Sequence, residues 1–251
     1  MNPLVTEKSI HKTDGNPNGP ALATTNGVIP PLENGDRLSR AEFERRYAAH
    51  PEIKKAELIE GIVYMASPVR VRRHGTPHSR IITWLGNYLA ATPRVEIADN
   101  ATLRLDLDNE PQPDVSVWIE GGNAFIDDDD YLRGAPELLV EVAGSSATID
   151  LNQKLQAYRR NGVAEYLVLL THEQETRWFS LAGGETVQLQ PDADGILRSR
   201  VFPGLQLQPT RFWQGDLAGV LGVLQQGLAT PEHAAFVEQL RPNNSTPQTF
   251  S

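Results

Sequence analysis

The spacing of apolar and polar residues changes repeatedly along the chain, and these changes predict strands interleaved with helices. Between residues 81 and 89 the apolar residues recur at the spacing of an amphipathic helix. Ser39 and Glu42 form a capping-box pattern that predicts the start of a shorter helix. Further helical patterns cover about residues 149–161 and 216–228, and another follows Pro231.

Short apolar runs between these helices predict strands. ELIE and IVYM, separated by Gly61, predict a hairpin. The helical pattern between LLVEVA and EYLVLL predicts a right-handed crossover between two strands of one sheet. The order of elements predicts an α/β (α+β) fold with a mixed central sheet flanked by helices. The other predicted strands lie in RVEIADN, TLRLDLD, DVSVWIE, TRWFSL and ETVQLQ.

The length of 251 residues suits one sizeable domain with appendages, or at most two small domains. Residues 1–35 are rich in Asn, Gly, Pro and Thr and lack apolar periodicity, so we expect them to be disordered. The main domain is expected over residues 36–210, a helical extension over 211–240 and a flexible tail over 241–251. The stretch GGNAFIDDDDYLRGA, residues 121–135, holds four consecutive aspartates and predicts a solvated surface loop.

Composition narrows the functional classes. The absence of cysteine excludes disulfides and thiolate metal sites and fits a reducing cytoplasm. No apolar run approaches the roughly 20 residues of a membrane span, and no signal core is present, so we expect a cytoplasmic protein with no membrane partner. The net charge of −9 argues mildly against charge-driven nucleic-acid binding. The stretch VRVRRHGTPHSR is a local basic exception.

Carboxylates in apolar surroundings are the strongest chemical signal. Glu141 lies inside LLVEVA, where a buried carboxylate needs a partner. Asp114 opens the strand DVSVWIE, and two nearby carboxylates repel each other unless a cation or a proton lies between them. Mg²⁺ binds carboxylates together with phosphate oxygens, and the ammonium of Lys154 could stabilise charge on a phosphate. These residues suggest a site that hydrolyses phosphodiesters.

Simpler interpretations exist for each residue, and spacing alone leaves them open. HGTPH places two histidines four residues apart, but it contains Gly and Pro and lacks the glutamate of a helical zinc-protease motif, so we expect no zinc site there. The basic stretch could be a mobile surface turn. The other simple interpretations are a strand-start residue for Asp114, a wet edge strand for Glu141, a solvated Lys154, a first-turn acid at Asp150 and core packing for Tyr158.

The motifs carry a resemblance to a known family. PQPD, followed by APELLVEVAGSSATIDLNQKLQAYRRNGVAEYLV, resembles the PD-(D/E)XK nuclease superfamily, and within it the Uma-type family of proposed restriction endonucleases. AELIEGIVYMASP and HGTPHSRIITWLGNYL resemble that family's opening hairpin and first core helix. The similarity covers about residues 38–207, and LQQGLATPEHAAFVEQL resembles an extension found in part of the family. The resemblance implies a restriction-endonuclease-like core.

The resemblance also implies roles for individual residues. Asp114 corresponds to the acid of the Pro-Asp motif and Glu141 to the acid of the (D/E)XK motif. Both would bind the metal, with the carbonyl of Val142 as a third ligand. Glu57 resembles the additional upstream acid of the superfamily.

One position departs from the motif. Its lysine is expected at position 143, which is Ala143 in this chain. Lys154 is then the candidate for a lysine that has moved to the adjacent helix. To replace the motif lysine, its side chain must reach the metal pocket.

The implied activity is that of a Mg²⁺-dependent endodeoxyribonuclease, with Mn²⁺ as an alternative metal and DNA as the partner. The catalytic residues would be Asp114, Glu141, Lys154 and Glu57. A homodimer is expected because cutting both strands often needs two sites.

Ala143 and the acidic composition also fit an inactive nuclease-fold module that binds nucleic acid or a protein. A hydrolase of smaller phosphoesters would need a closed pocket. The residues expected to contact DNA phosphates are Arg72, Arg73 and His78.

Overall fold

A six-stranded mixed β-sheet forms the centre of the fold. The structure is a computed structural model that describes residues 28–66 and 68–241. The strands are β1 (Ala56–Ile59), β2 (Ile62–Met65), β3 (Val95–Asp99), β4 (Leu103–Arg104), β5 (Val115–Ile119), β6 (Ala124–Ile126), β7 (Leu132–Gly134), β8 (Leu138–Ala143), β9 (Glu165–Leu170), β10 (Glu175–Ser180), β11 (Val187–Gln188), β12 (Leu197–Arg198) and β13 (Gln206–Leu207).

Helices cover both faces of this sheet. Two π-helical turns, Val71–Gly75 and Asp150–Lys154, run directly into the helices that follow them. The helices are α1 (Arg40–Ala49), α2 (Thr76–Ala91), α3 (Ala147–Ile149), α4 (Leu155–Arg160), α5 (Pro209–Gln214), α6 (Leu217–Leu228) and α7 (Pro231–Leu240).

The strand order of the central sheet is β11-β10-β9-β8-β5-β3. β8 and β9 pair in parallel, and the other neighbours pair antiparallel. The connection from β8 to β9 runs through α3, the second π-helical turn and α4, because two parallel neighbours need a crossover. The predicted mixed sheet is therefore confirmed, as is a helical connection between LLVEVA and EYLVLL.

The smaller sheets are two hairpins and one three-stranded sheet. β1 and β2 form the predicted hairpin, and β12 pairs with β13. β4, β7 and β6 form a separate sheet, so the segment predicted as a simple aspartate-rich loop contains two strands. Strands of three residues carry too few positions to show alternation. Arg104 contacts Asp127 and Asp129 at 2.8 Å, which ties the loop to β4.

Alternate residues of each central strand enter different cores. Val140 and Val142 belong to the core under α2 and α6, whereas Leu139 and Ala143 belong to the core that includes Tyr158 of α4. This alternation follows from the period of a β-strand. It places Glu141 on the α4 face of the sheet.

Residues before residue 36 also pack against the domain. Leu32 is buried, and the Gly35 N–H donates to the Val63 carbonyl at 2.8 Å, so residues 31–35 pack against the first hairpin. The prediction of disorder is wrong for these residues, because Leu32 joins a small apolar cluster with Phe43. The remainder of that predicted segment up to residue 27, and the predicted tail beyond residue 241, lie outside the described residues.

The C-terminal helices share the core of the sheet. Val220 and Leu224 of α6 are buried in the same cluster as Trp84 of α2. α7 is tied to the end of α2 by His233, whose Nε2 lies 2.9 Å from Thr92 Oγ1. Within the described part of the chain, no helix is both long and apolar enough to cross a membrane.

Two glycines of α6 test this packing. A Cβ on buried Gly227 would overlap the Gly204 carbonyl oxygen, so Gly227→Ala should lower the free energy of unfolding by about 1–3 kcal/mol. Exposed Gly222 has no atom within 4 Å of its Cβ position, so Gly222→Ala should raise that free energy by up to about 1 kcal/mol. Urea unfolding of both variants measures the difference. Equal stability of the two would contradict the close approach of α6 to residue 204.

Candidate active site

Glu141 is buried in the interior of the central sheet. Its strand, β8, lies between β9 and β5, and the Glu141 residue is 5% exposed. The interpretation of Glu141 as a residue of a wet edge strand therefore does not hold. A carboxylate at this depth needs a partner from the opposing helix layer.

Lys154 supplies that partner. Its Nζ lies 2.8 Å from Glu141 Oε1 and 2.8 Å from Glu57 Oε1, and its side chain is 4% exposed. Lys154 ends the π-helical turn Asp150–Lys154, a feature that is frequent at functional sites. Lys154 is thus a buried cation between two carboxylates rather than a solvated lysine.

The helix face that carries Lys154 adds two more groups. Tyr158 donates to Glu141 Oε1 at 3.2 Å, so it holds the carboxylate in addition to packing in the core. Asp150 is 1% exposed, and its Oδ1 lies 3.7 Å from Lys154 Nζ. Asp150 is a first-turn acid, as the sequence suggests, but its carboxylate is buried in the protein and is not exposed to solvent.

Glu57 reaches the site from the first hairpin. Besides Lys154, its Oε1 accepts the backbone N–H of Gln112 at 2.7 Å. The neighbouring Leu58 exchanges backbone hydrogen bonds with Glu110 at 2.8 and 3.1 Å. The hairpin is therefore joined to the segment that leads into β5.

Asp114 lies at the start of β5 and bonds to β8. Its Oδ2 accepts the Val142 N–H at 2.7 Å. Its Oδ1 lies 3.4 Å from His74 Nε2 and 4.0 Å from Lys55 Nζ. Asp114 is 4% exposed, so the structure places it in the buried site, where it does more than start a strand.

These groups line one cavity of about 940 Å³. It is bounded by the first hairpin, the segment before α2, the ends of β5 and β8, and the helical connection after β8. The charged and titratable residues that line it are Lys55, Glu57, Tyr64, Arg70, Arg73, His74, His78, Asp114, Glu141, Asp150, Lys154 and His172.

Negative charge is in excess at the buried end of the cavity. Burial raises the pKa of Glu141 well above its ordinary value, and Asp150 and Asp114 add to this while Lys154 opposes it. Burial acts to lower the pKa of Lys154, but the carboxylates of Glu141, Glu57 and Asp150 raise it well above its ordinary value. One ammonium faces three carboxyl groups, so a proton or a bound divalent cation between them would compensate the remaining negative charge.

The donor atoms fit a hard cation that keeps several waters. Both side-chain hydrogen bonds to Glu141 end on Oε1, which leaves Oε2 for a cation. Asp114 Oδ1 and the Val142 carbonyl are further oxygen atoms of the kind that Mg²⁺ prefers as ligands. Across residues 28–66 and 68–241, no three His, Cys, Asp or Glu side chains form a ready-made metal site, so water would supply the other ligands.

The residues predicted to contact phosphates do not all reach the cavity. Arg73 lines it, 3.5 Å from His172 Nε2. His78 also lines it, but its Nε2 lies 3.0 Å from Asp99 Oδ1 and 3.2 Å from the Asp114 carbonyl, so this ring is already engaged. Arg72 is exposed, does not line the cavity and forms no hydrogen bond or ion pair among the described residues.

Sequence reasoning missed several residues of the site. The sequence suggests no role for His74 beyond the rejected zinc motif, and no pattern points to Lys55. The spacing of four between His74 and His78 was an available signal, because the helical turn brings their ring centroids to 5.3 Å. Arg70 was noted only as part of the basic stretch.

Comparison with known proteins identifies the class of this chain. Residues 40–210 match the Uma2 family, which is described as "putative restriction endonuclease". The chain belongs to this family. A solved structure of a protein described as a "putative nuclease", from Anabaena variabilis, is 15% identical; the match covers 63% of this chain and 89% of that chain, with a TM-score of 0.49. Among curated proteins, no match was found.

The ion pairs that Lys154 forms with Glu141 and Glu57 should contribute strongly to the free energy of unfolding. Lys154→Met leaves buried carboxylates without their cation and should cost about 3–5 kcal/mol of unfolding free energy. Adding Glu141→Gln to that variant should recover part of the loss, because one uncompensated charge is removed. The matched control is Lys55→Met, whose half-buried ammonium lies 4.0 Å from Asp114 and should cost about 1 kcal/mol or less. Urea unfolding of all three variants at pH 7 tests this, and equal losses for Lys154→Met and Lys55→Met would contradict it.

Proposed function

We propose that this protein is a metal-dependent endonuclease that hydrolyses phosphodiester bonds in DNA. The observation that carries the proposal is the convergence of Asp114, Glu141 and Lys154 from separate segments of the chain on one cavity. Membership of a family described as "putative restriction endonuclease" supports the choice of substrate. A homodimer of such sites would cut both strands of a duplex.

Mg²⁺, or Mn²⁺ in its place, would supply charge stabilisation at the phosphate and an activated water. Asp114 and Glu141 would hold it, as carboxylates that already point into the cavity. The backbone of Val142 anchors Asp114 through its N–H, so the distance between the two acids is set by the pairing of β5 with β8.

Lys154 would act on the charge that develops at the phosphate. Its ammonium is held by Glu141 and Glu57 at 2.8 Å each, which fixes its direction before substrate arrives. Preorganised cations of this kind stabilise a transition state without reorganisation. Lys154 thereby supplies the function of the lysine that is missing at Ala143. Glu57 would orient the ammonium and the attacking water.

Basic residues at the cavity would bind the DNA backbone. Arg70, Arg73 and Lys55 line it, and exposed Arg72 lies next to Arg73 in the first π-helical turn. Phosphate contacts supply affinity without sequence information. The charge of the whole chain is −9, so this basic stretch is the part of the surface best suited to nucleic acid.

An inactive nuclease-fold module is the second candidate. Ala143 replaces the motif lysine, and the ammonium of Lys154 is already engaged by two carboxylates. Such a module would bind DNA or a protein but would not cleave.

A cleavage assay with plasmid DNA separates the two candidates. With Mg²⁺ or Mn²⁺ the unmodified chain should cleave, and Asp114→Asn, Glu141→Gln and Lys154→Met should each reduce the rate by at least about 100-fold. Glu185→Gln changes an exposed acid outside the cavity and should leave the rate unchanged. Absence of cleavage by the unmodified chain with either metal would favour the inactive module, as would equal rates in all variants.

DNA binding should depend on the basic stretch and on salt. In the Asp114→Asn background, Arg73→Ala should weaken duplex binding and lower the slope of log K against log salt by about 1, because one phosphate contact is lost. Arg72→Ala should act in the same direction. The control is Arg159→Ala, an exposed arginine outside the cavity, which should leave the slope unchanged. Fluorescence anisotropy at several salt concentrations measures the slope, and equal slopes for Arg73→Ala and Arg159→Ala would contradict binding through this stretch.

A further inference from the structure

His74 lies between two groups of the candidate metal site. Its Nδ1 is 3.2 Å from the Val142 carbonyl oxygen, and its Nε2 is 3.4 Å from Asp114 Oδ1. The ring is carried by the π-helical turn Val71–Gly75 and lines the same cavity as Glu141 and Lys154.

A neutral imidazole cannot satisfy both of these neighbours. It has one N–H donor and one lone pair, whereas the carbonyl and the carboxylate are both acceptors. If Nδ1 carries the proton and donates to Val142, the lone pair of Nε2 faces Asp114 Oδ1. Two electron-rich atoms then face each other, and only a cation or a second proton between them removes the conflict.

We propose that His74 Nε2 is a ligand of the catalytic cation, next to Asp114 Oδ1, and that the Val142 carbonyl orients the ring by accepting from Nδ1–H. Metal-binding histidines commonly donate their other ring N–H to a carbonyl or a carboxylate, which fixes the tautomer and the direction of the ring. This inference rests on the proposed function. It deepens that proposal by changing the ligand set, because Val142 becomes an orienting group and a histidine nitrogen replaces its carbonyl at the metal.

The backbone of Val142 suits this role. Its N–H donates to Asp114 Oδ2 at 2.7 Å, and its carbonyl lies 3.2 Å from His74 Nδ1. One peptide segment inside a central strand therefore holds both proposed ligands in a fixed relation. A separation of 3.4 Å between Asp114 Oδ1 and His74 Nε2 also suits neighbouring ligands of one ion, whose bonds are about 2.1 Å long.

The ligand set has a consequence for metal preference. Imidazole nitrogen suits transition metals, whereas an all-oxygen set suits Mg²⁺. The site should therefore bind Mn²⁺ more tightly than Mg²⁺. Removing the imidazole should weaken Mn²⁺ binding by at least about tenfold. It should also reduce the difference in affinity between Mn²⁺ and Mg²⁺.

Electron spin echo envelope modulation of the Mn²⁺-loaded protein tests the inference without any activity measurement. The unmodified chain should show the ¹⁴N modulation of a directly bonded imidazole, and His74→Gln should lose it. His172→Gln removes another histidine that lines the cavity and should retain the modulation. Calorimetric titration with Mn²⁺ and with Mg²⁺ measures the affinities of the same proteins and of Asp114→Asn.

The outcomes separate the two proposals. Mn²⁺ binding that requires Asp114 but shows no ¹⁴N modulation in the unmodified chain would overturn the role of His74 and leave the proposed nuclease site standing. Modulation that persists in His74→Gln would also overturn it. Mn²⁺ binding that is absent, or unchanged in Asp114→Asn, would remove the metal site itself and both proposals with it.

Discussion

The buried ammonium of Lys154 is the interaction on which the rest of the site depends. It lies within 2.8 Å of both Glu141 and Glu57, groups that are carried by the central sheet and by the first hairpin. A buried carboxylate or ammonium without its partner lowers the free energy of unfolding by several kcal/mol. The strand can therefore bury Glu141 only if the helix supplies Lys154, and the reverse also holds. The ion cluster therefore couples packing of α4 against β8 to assembly of the site.

The second constraint is the pairing of β5 with β8. This pairing brings the N–H of Val142 to Asp114, and the carbonyl of Val142 faces His74. Main-chain groups inside a sheet move little, because each strand is held by both neighbours and by the cores on either face. A site built on them is more precise than one built on loops alone. The basic stretch lies outside the sheet, in the π-helical turn before α2 and the start of that helix.

Elements with long, regular patterns were predictable from the chain. α2, the first hairpin, β8, β9 and the helical connection between them all occur where apolar spacing placed them. β6 and β7 were not predictable, because three-residue strands have no resolvable period, and their place depends on pairing with β4 and on Arg104. The packed state of residues 31–35 was missed for a related reason. A single buried leucine in a polar stretch carries no periodic signal.

The chain alone shows an acid inside an apolar strand, an acid at the start of another strand and a lysine on the helix that follows, and their order indicates the family. Which of these charges meet became clear from the fold, which places Asp150 and His74 in the cavity and leaves Arg72 outside it. Periodicity predicts the face on which a side chain lies, but the distance between side chains from remote segments depends on strand pairing and helix packing.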